Sequence, residues 1–282
     1  MAKYIIEHYK TEADFLQVTG PHLQEKEAYN SVFLSSLPKD RTCYYSAVLD
    51  ATNTVVFALY AIQDSFLYTS YSKDVDAVQM LVSDILAADF SFQAFFAYEP
   101  SLGVIKKLMK EANRTTKCAD QMWSHIIKQV QWSSRSLALK KTAILKQATS
   151  DDFSVLREYT QGFLHDASPD LVRVMGVDID QMCCNTIESG NAYLLFVDNI
   201  PVSMTWKRRP LNEGCSVAYV YTPPKYRHQG FGGACVAMCT ELFLQEFKYA
   251  TLFIKGSQDP HNNMYTKIGY QLIGEVGRYT IE

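Results

Sequence analysis

One short stretch limits what this chain can fold into: Arg227-His228-Gln229-Gly230-Phe231-Gly232-Gly233, set between a β-like run closed by Pro223-Pro224 and a long helix-like run. Prolines cannot continue a strand ladder, and glycines let the chain turn sharply. The elements on either side are therefore a strand and a helix that opens at the turn. Such a helix start presents backbone N–H groups without intrahelical partners, together with the positive end of the helix dipole. That combination is a seat for a phosphate or pyrophosphate. Gly230 and Gly232 keep a Cβ out of the way, while Lys225, Arg227 and His228 bring positive or titratable charge. Read alone, the six or seven residues are equally an ordinary strand-to-helix turn.

The flanks carry the reading further. Ser216-Val217-Ala218-Tyr219-Val220-Tyr221 has the β-branched and aromatic character of a strand. Residues 230–248 are apolar on most faces, as in a helix buried against a sheet. Ala250–Ile254 follows as a short central strand, then Asn262-Asn263-Met264-Tyr265-Thr266-Lys267-Ile268-Gly269-Tyr270, with Gly269 as a helix C-cap before a final strand pair over 270–281. The chain contains neither GxxxxGK(S/T) nor GxGxxG with a later acidic residue. What it does contain, Arg227-x-x-Gly230-x-Gly232, resembles the acyl-CoA pyrophosphate loop of the GCN5-related N-acetyltransferases (GNATs). The Asn262–Tyr265 segment resembles that family's second signature, in the right order.

The resemblance implies an α/β fold with a mixed sheet, acetyl-CoA or another acyl-CoA as co-substrate, and no metal. Val220, Tyr221 and Thr222, on a strand that splays from its neighbour, would meet the pantetheine arm. Arg227, His228, Gln229, Gly230, Phe231, Gly232 and Gly233 would meet the diphosphate, and Asn262 would bond the arm or cap a helix. Acetyl transfer to an amine needs three things: a deprotonated amine, a donor for the carbonyl oxygen near Val220 or Tyr221, and an acid for the leaving thiolate. Tyr265 matches the family's acid, with a core tyrosine as the plain alternative. Glu213 is the expected base, acting through water, unless it is a solvated turn residue. His165-Asp166 is a rival pair, although neighbours on a helix point about 100° apart. Lys207-Arg208-Arg209 reads as an exposed strand end. The expected activity is acetyl transfer from acetyl-CoA to the primary amine of a small or amino-acid-like acceptor, by direct attack in a ternary complex. The alternatives are a non-catalytic acyl-CoA-binding regulatory module and a protein or peptide N-acetyltransferase.

At 282 residues the chain has the length of two domains. A net charge of −3 and a pI near 6.1 argue against a broad nucleic-acid or anionic-membrane surface. No apolar run has the length of a membrane span or signal core, so a cytoplasmic location is expected. Seven scattered cysteines without CxxC pairs fit a reducing compartment and core packing, and the six histidines show no ligand spacing.

The first half repeats the plan of the second. Strands are expected at 3–8, 43–49, 54–62, 65–71 and 92–98, with a broken helix over 12–37 and an amphipathic helix over 74–88 that carries Val75, Val78, Leu81, Val82 and Ile85 on one side. A helix over 100–112 and a β-like piece over 122–130 close this half. In the second half the expected helices are 151–165 and 169–188, and the strands 141–147, 192–197, 200–208 and 214–221. A tandem duplication is expected, two GNAT-like domains at 1–130 and 141–282 with a polar linker at 131–140, the plain alternative being two unrelated α/β domains. Where the second half has its glycines, the first has Tyr71-Ser72-Lys73-Asp74-Val75-Asp76. Carboxylates at a helix start repel a polyanion, so this half is expected to bind no acyl-CoA.

Overall fold

Runs of β-branched and aromatic residues become strands, and the stretches with apolar residues every three or four positions become helices, in nearly the order read from the sequence. The computed structural model describes residues 3–38, 40–167 and 178–282. The chain divides into two units: the first runs to Ser124 and includes Ile254–Gln258 and Leu272–Glu282, and the second is His125–Phe253 with Asp259–Gln271. Each is a mixed sheet flanked by helices.

In the first unit β1 (Tyr4–Tyr9), β2 (Cys43–Asp50), β3 (Val55–Ile62) and β4 (Phe66–Thr69) pair antiparallel in that order. A crossover through α3 (Val75–Ala87) then brings β5 (Ala94–Tyr98) parallel to β4. Helices α1 (Glu12–Glu25) and α2 (Ser31–Ser35) cover one face with Phe15, Leu23 and Phe33. The other face is covered by α3 and α4 (Ser101–Glu111) through Val78, Leu81, Val82, Ile85, Leu102 and Ile105. Val75, expected on the buried stripe, lies 42% exposed as the first residue of the helix.

The second unit follows the same plan. β7 (Ile144–Gln147), β8 (Ala192–Val197), β9 (Ile200–Arg208) and β10 (Gly214–Tyr221) are antiparallel neighbours, and α8 (Phe231–Phe243) crosses over to β11 (Tyr249–Lys255), parallel to β10. Helices α6 (Phe153–Ala167) and α7 (Ile179–Glu188) pack Leu156, Tyr159 and Cys183 on Leu194, Met204 and Trp206. α8 buries Ala234, Cys235, Val236, Ala237, Cys239 and Phe243. All seven cysteines are free thiols; four are buried. The expected helix over 169–188 appears as α7; residues 169–177 lie outside the described ones.

Three expectations need correction. The C-terminal residues form one strand, β12 (Gln271–Ile281), not a pair, and from Leu272 on it belongs to the first unit. There it runs antiparallel to β5, from Val276 opposite Tyr98 to Thr280 opposite Ala94. Tyr279 stacks on Phe95 with ring centroids 5.5 Å apart, and Tyr279 and Ile281 join the first unit's apolar cluster. Strand choice here is a burial decision between residues far apart in sequence, which local patterning does not express. The supposed linker is helical: α5 (Ser134–Thr142) starts at Ser133, whose Oγ accepts from Ser136 N at 3.1 Å. It belongs to the second unit. The strand expected at 122–130 is β6 (Thr116–Ile127), shifted toward the N-terminus.

Candidate functional site

β10 and β11 run together for three residue pairs, Gly214–Ser216 against Tyr249–Thr251, and then part. On its other side β10 slips register against β9 between Ala218 and Tyr221, and Tyr219 there takes φ = +50°. A tyrosine in the left-handed region costs on the order of 1–3 kcal/mol and persists only where its surroundings hold it. Here Tyr219 stacks on Trp206 at 4.3 Å and meets Phe163 at 4.8 Å, and its hydroxyl donates to Met182 Sδ at 3.7 Å. Tyr221, at the end of the bulge, lies against α6 where Gly162 has no side chain: a Cβ there would fall 2.3 Å from the Tyr221 ring. The splay expected from the resemblance is therefore built by a bulge and locked by aromatic packing.

Past Pro224–Tyr226, a single 3-10 turn, the chain rises through His228 (φ +63°) and Gly230 (φ +86°) into α8. Both residues are left-handed, a sequence of turns that points successive amides to one side. Gly230 is the N-cap and has no side chain with which to cap, while its carbonyl accepts from Ala234 N at 3.0 Å. The amides of Phe231, Gly232 and Gly233 are thus first-turn donors without a side-chain cap. Gly232 is required by close approach, since a Cβ would sit 2.9 Å from Thr222 Oγ1. No acidic residue occurs between Lys225 and Gly233. Gln229 Nε2 closes the loop on Lys225 O at 3.2 Å.

Arg227 is already occupied. Its Nε donates to Thr222 O at 2.9 Å and Nη2 to Asp166 Oδ2 at 2.6 Å, with the guanidinium 5.6 Å from the Tyr221 ring centre. Hydrogen bonds from His165 and from Arg227 hold the Asp166 carboxyl below the usual carboxylate range. His165 Nδ1 lies 3.1 Å from Asp166 Oδ1, so the two neighbours do meet at the last turn of α6. Arg227 and Asp166 thus tie α6 to the loop.

Tyr265 is half-buried and edge-on to Tyr270, with ring centroids 6.2 Å apart. Burial pushes its phenol up to about 12. Its hydroxyl bonds to none of the described residues. The local turn is made by Asn263, not Asn262: Asn263 Oδ1 accepts from Tyr265 N at 2.8 Å and Thr266 N at 3.1 Å. Asn262 is exposed, and its backbone N–H donates to Asp259 Oδ1 at 3.2 Å. The helix it was expected to cap is one 3-10 turn, Thr266–Ile268.

Glu213 is not near these groups. It precedes the first residue of β10, where it pairs with Lys248 through its carboxylate and accepts from Lys248 N at 2.8 Å through its carbonyl. At roughly 3.3 Å per residue it lies about 23 Å along the strand from Val220. This corrects its assignment as base: nearness in sequence to the strand placed it at the paired end, opposite the splay. Arg135, on α5, was missed altogether. Its Nε donates to Gln229 O at 3.1 Å and its Nη2 to His228 O at 3.0 Å. Nothing in the local sequence pairs a residue in a supposed linker with carbonyls about ninety positions later.

The first unit's equivalent turn is closed from within. Asp74 caps α3, its Oδ1 accepting from Ala77 N at 3.1 Å, and Asp74 N in turn donates to Ser72 Oγ at 3.1 Å. Asn30 Oδ1 accepts from Tyr71 N at 2.7 Å, and Tyr4 Oη donates to Asp74 Oδ2 at 2.5 Å. Amides that an anion would need are spent on side chains of the unit itself. Among the described residues no cluster has the composition of a metal site, and no helix is long and apolar enough to cross a membrane.

The second unit is thus a mixed sheet whose parallel strands β10 and β11 part beside a bulge and an uncapped glycine helix start. Residues 204–279 match the family model of FR47-like proteins. No curated protein sequence matches the chain. Among solved structures the chain is similar to a GCN5-related N-acetyltransferase from Sphaerobacter thermophilus, at 8% identity and TM-score 0.61, over 99% of this chain and 96% of that one. It is also similar to a GNAT-family acetyltransferase from Colwellia psychrerythraea, at 11% identity and TM-score 0.54, over 99% and 100%. A tandem GNAT protein from the clavulanic acid biosynthesis pathway matches at 10% identity and TM-score 0.51, over 98% of both chains. The chain therefore has the fold of the GCN5-related N-acetyltransferase superfamily along its length, with an FR47-like segment that contains the loop at 227–233.

Proposed function

We propose that this protein is an acyl-CoA-dependent N-acetyltransferase whose second unit is catalytic and whose first unit binds no acyl-CoA. The acceptor is the primary amine of a small or amino-acid-like molecule, attacked directly in a ternary complex. The observation that carries this reading is the start of α8: three successive amides without a side-chain cap, preceded by left-handed His228 and Gly230 and free of acidic residues.

Acetyl-CoA supplies a thioester whose carbonyl carbon forms the new C–N bond as the C–S bond breaks. The amides from Gln229 to Gly233 hold the diphosphate, and the backbone of Val220, Tyr221 and Thr222 on the splayed strand aligns the pantetheine arm and offers a donor to the carbonyl oxygen. Asn262, exposed beside the Tyr265 turn, is left to contact the arm. Tyr265, with a phenol held protonated to about 12 and a hydroxyl bonded to none of the described residues, keeps a proton ready for the departing sulfur. His165, oriented by Asp166 at the end of α6, stands in place of Glu213 as the group that can receive the amine's proton.

Gly230→Asp tests the reading. Aspartate tolerates the left-handed region and suits a helix N-cap, and its Cβ, 2.8 Å from Arg135 Nε, moves only the end of that flexible side chain, so a carboxylate enters the diphosphate seat in a protein whose fold circular dichroism verifies. Calorimetry with acetyl-CoA should show binding in the wild type and none in the variant; undiminished affinity in the variant rejects the assignment of the loop.

A further inference from the structure

The back of the diphosphate loop is gripped by a side chain from outside it. Arg135 sits in the first turn of α5, and its fork spans two consecutive carbonyls, Nη2 to His228 O at 3.0 Å and Nε to Gln229 O at 3.1 Å. Peptide units are planar and trans, so a carbonyl aimed at Arg135 turns the N–H of the same unit the opposite way. The His228 carbonyl fixes the Gln229 amide, and the Gln229 carbonyl fixes the Gly230 amide. Both N–H groups therefore face away from Arg135, toward the side where an anion is bound. The guanidinium also polarises both peptide units, which makes their N–H groups stronger donors.

Two further features fit this role. Gly230 leaves room for the guanidinium: a Cβ there would lie 2.8 Å from Arg135 Nε. And α5 is anchored without Arg135. Trp132 Nε1 donates to Glu241 Oε1 at 3.2 Å, Lys140 pairs with the same carboxylate, and Lys140 Nζ lies 4.4 Å from the Trp132 ring centre. Loss of the fork therefore leaves the helix in place while freeing two peptide units to rotate.

We infer that Arg135 is a positioning residue for acyl-CoA binding, presetting the amides of Gln229 and Gly230 toward the diphosphate from the helix that precedes the second unit's first strand. This rests on the acyl-CoA reading of the loop. A rotating loop must be ordered on binding, and that penalty falls on ligands with a diphosphate and not on those without one.

The test compares the wild type with Arg135→Ala and Arg135→Lys, using two probes: acetyl-CoA, and S-acetylpantetheine, which keeps the thioester and arm but has no diphosphate. The Ala variant should bind acetyl-CoA about tenfold more weakly and the Lys variant about threefold, since an ammonium lacks the planar fork. Binding of S-acetylpantetheine should stay within about twofold of the wild type in both. Backbone order parameters at Gln229 and Gly230, measured by nuclear relaxation, should fall in the Ala variant, a readout that needs no ligand. Wild-type acetyl-CoA affinity in the Ala variant, or equal weakening for both probes, overturns the inference. If the wild type itself takes up no acetyl-CoA, the proposed function falls; unchanged order parameters at the two amides then remove the bracing role as well.

Discussion

Gly162 offers a test of the packing that splays the site. In the middle of a helix, Gly→Ala ordinarily stabilises by about 0.5–1 kcal/mol, because glycine loses more backbone entropy on folding. At this position an added methyl would lie 2.3 Å from both Cζ and Oη of Tyr221, and 2.9 Å from Cε1. Contacts that short with a ring force α6 or the bulge to shift, and overpacking of this kind costs about 1–3 kcal/mol. The net expectation for Gly162→Ala is a destabilisation of roughly 1–2 kcal/mol, or a fall in Tm of about 2–8 °C. Tyr221→Ala removes the obstructing ring, so in that background the same Gly162→Ala change should revert to its helix gain and stabilise. Urea unfolding of the four proteins completes the cycle, and the sign reversal is the diagnostic. Because the shift would displace the strand that carries Val220 and Tyr221, acetyl-CoA affinity should fall with Gly162→Ala alone. A Gly162→Ala protein that is more stable than the wild type would refute the argument that Tyr221 is wedged against a bare stretch of helix.

Three other outcomes are expected. Tyr265→Phe should lower turnover by about a hundredfold or more while acetyl-CoA affinity holds, and an unchanged rate with a good acceptor would remove its acid role. The wild type should bind one acetyl-CoA per chain by calorimetry, because Asp74 already fills the helix start in the first unit; a stoichiometry of two would contradict that. Burial raises the phenols of Tyr60, Tyr159 and Tyr270, and of Tyr265 to about 12, above the unfolded value near 10. The folded state keeps these protons more tightly than the unfolded one, so stability should be full below about pH 10 and decline as pH rises toward 12. Urea midpoints measured across that range check the direction, and a rising midpoint would be inconsistent with these buried phenols.

The sequence by itself set the local character of almost every element. Apolar spacing marked α3 and α8, β-branched runs marked the strands, and Pro223-Pro224 followed by Gly230 and Gly232 located the turn where an anion can sit. Asp74, an acidic residue before a helix, likewise marked the N-cap of α3. These are statements about neighbours along the chain, and they follow from period, propensity and backbone freedom. Other features were decided by partners distant in sequence. β12 joined the first unit because its face, with Tyr279 on Phe95, completes that apolar cluster. Arg135 reached the loop because α5 packs on α8, and Glu213 fell to Lys248 because β10 points its paired end that way. Tyr219 holds a left-handed backbone only because Trp206 and Phe163 surround it. Each of these depends on which surfaces meet once the chain is compact, a choice made by burial and close packing over the whole molecule and not written at any one position.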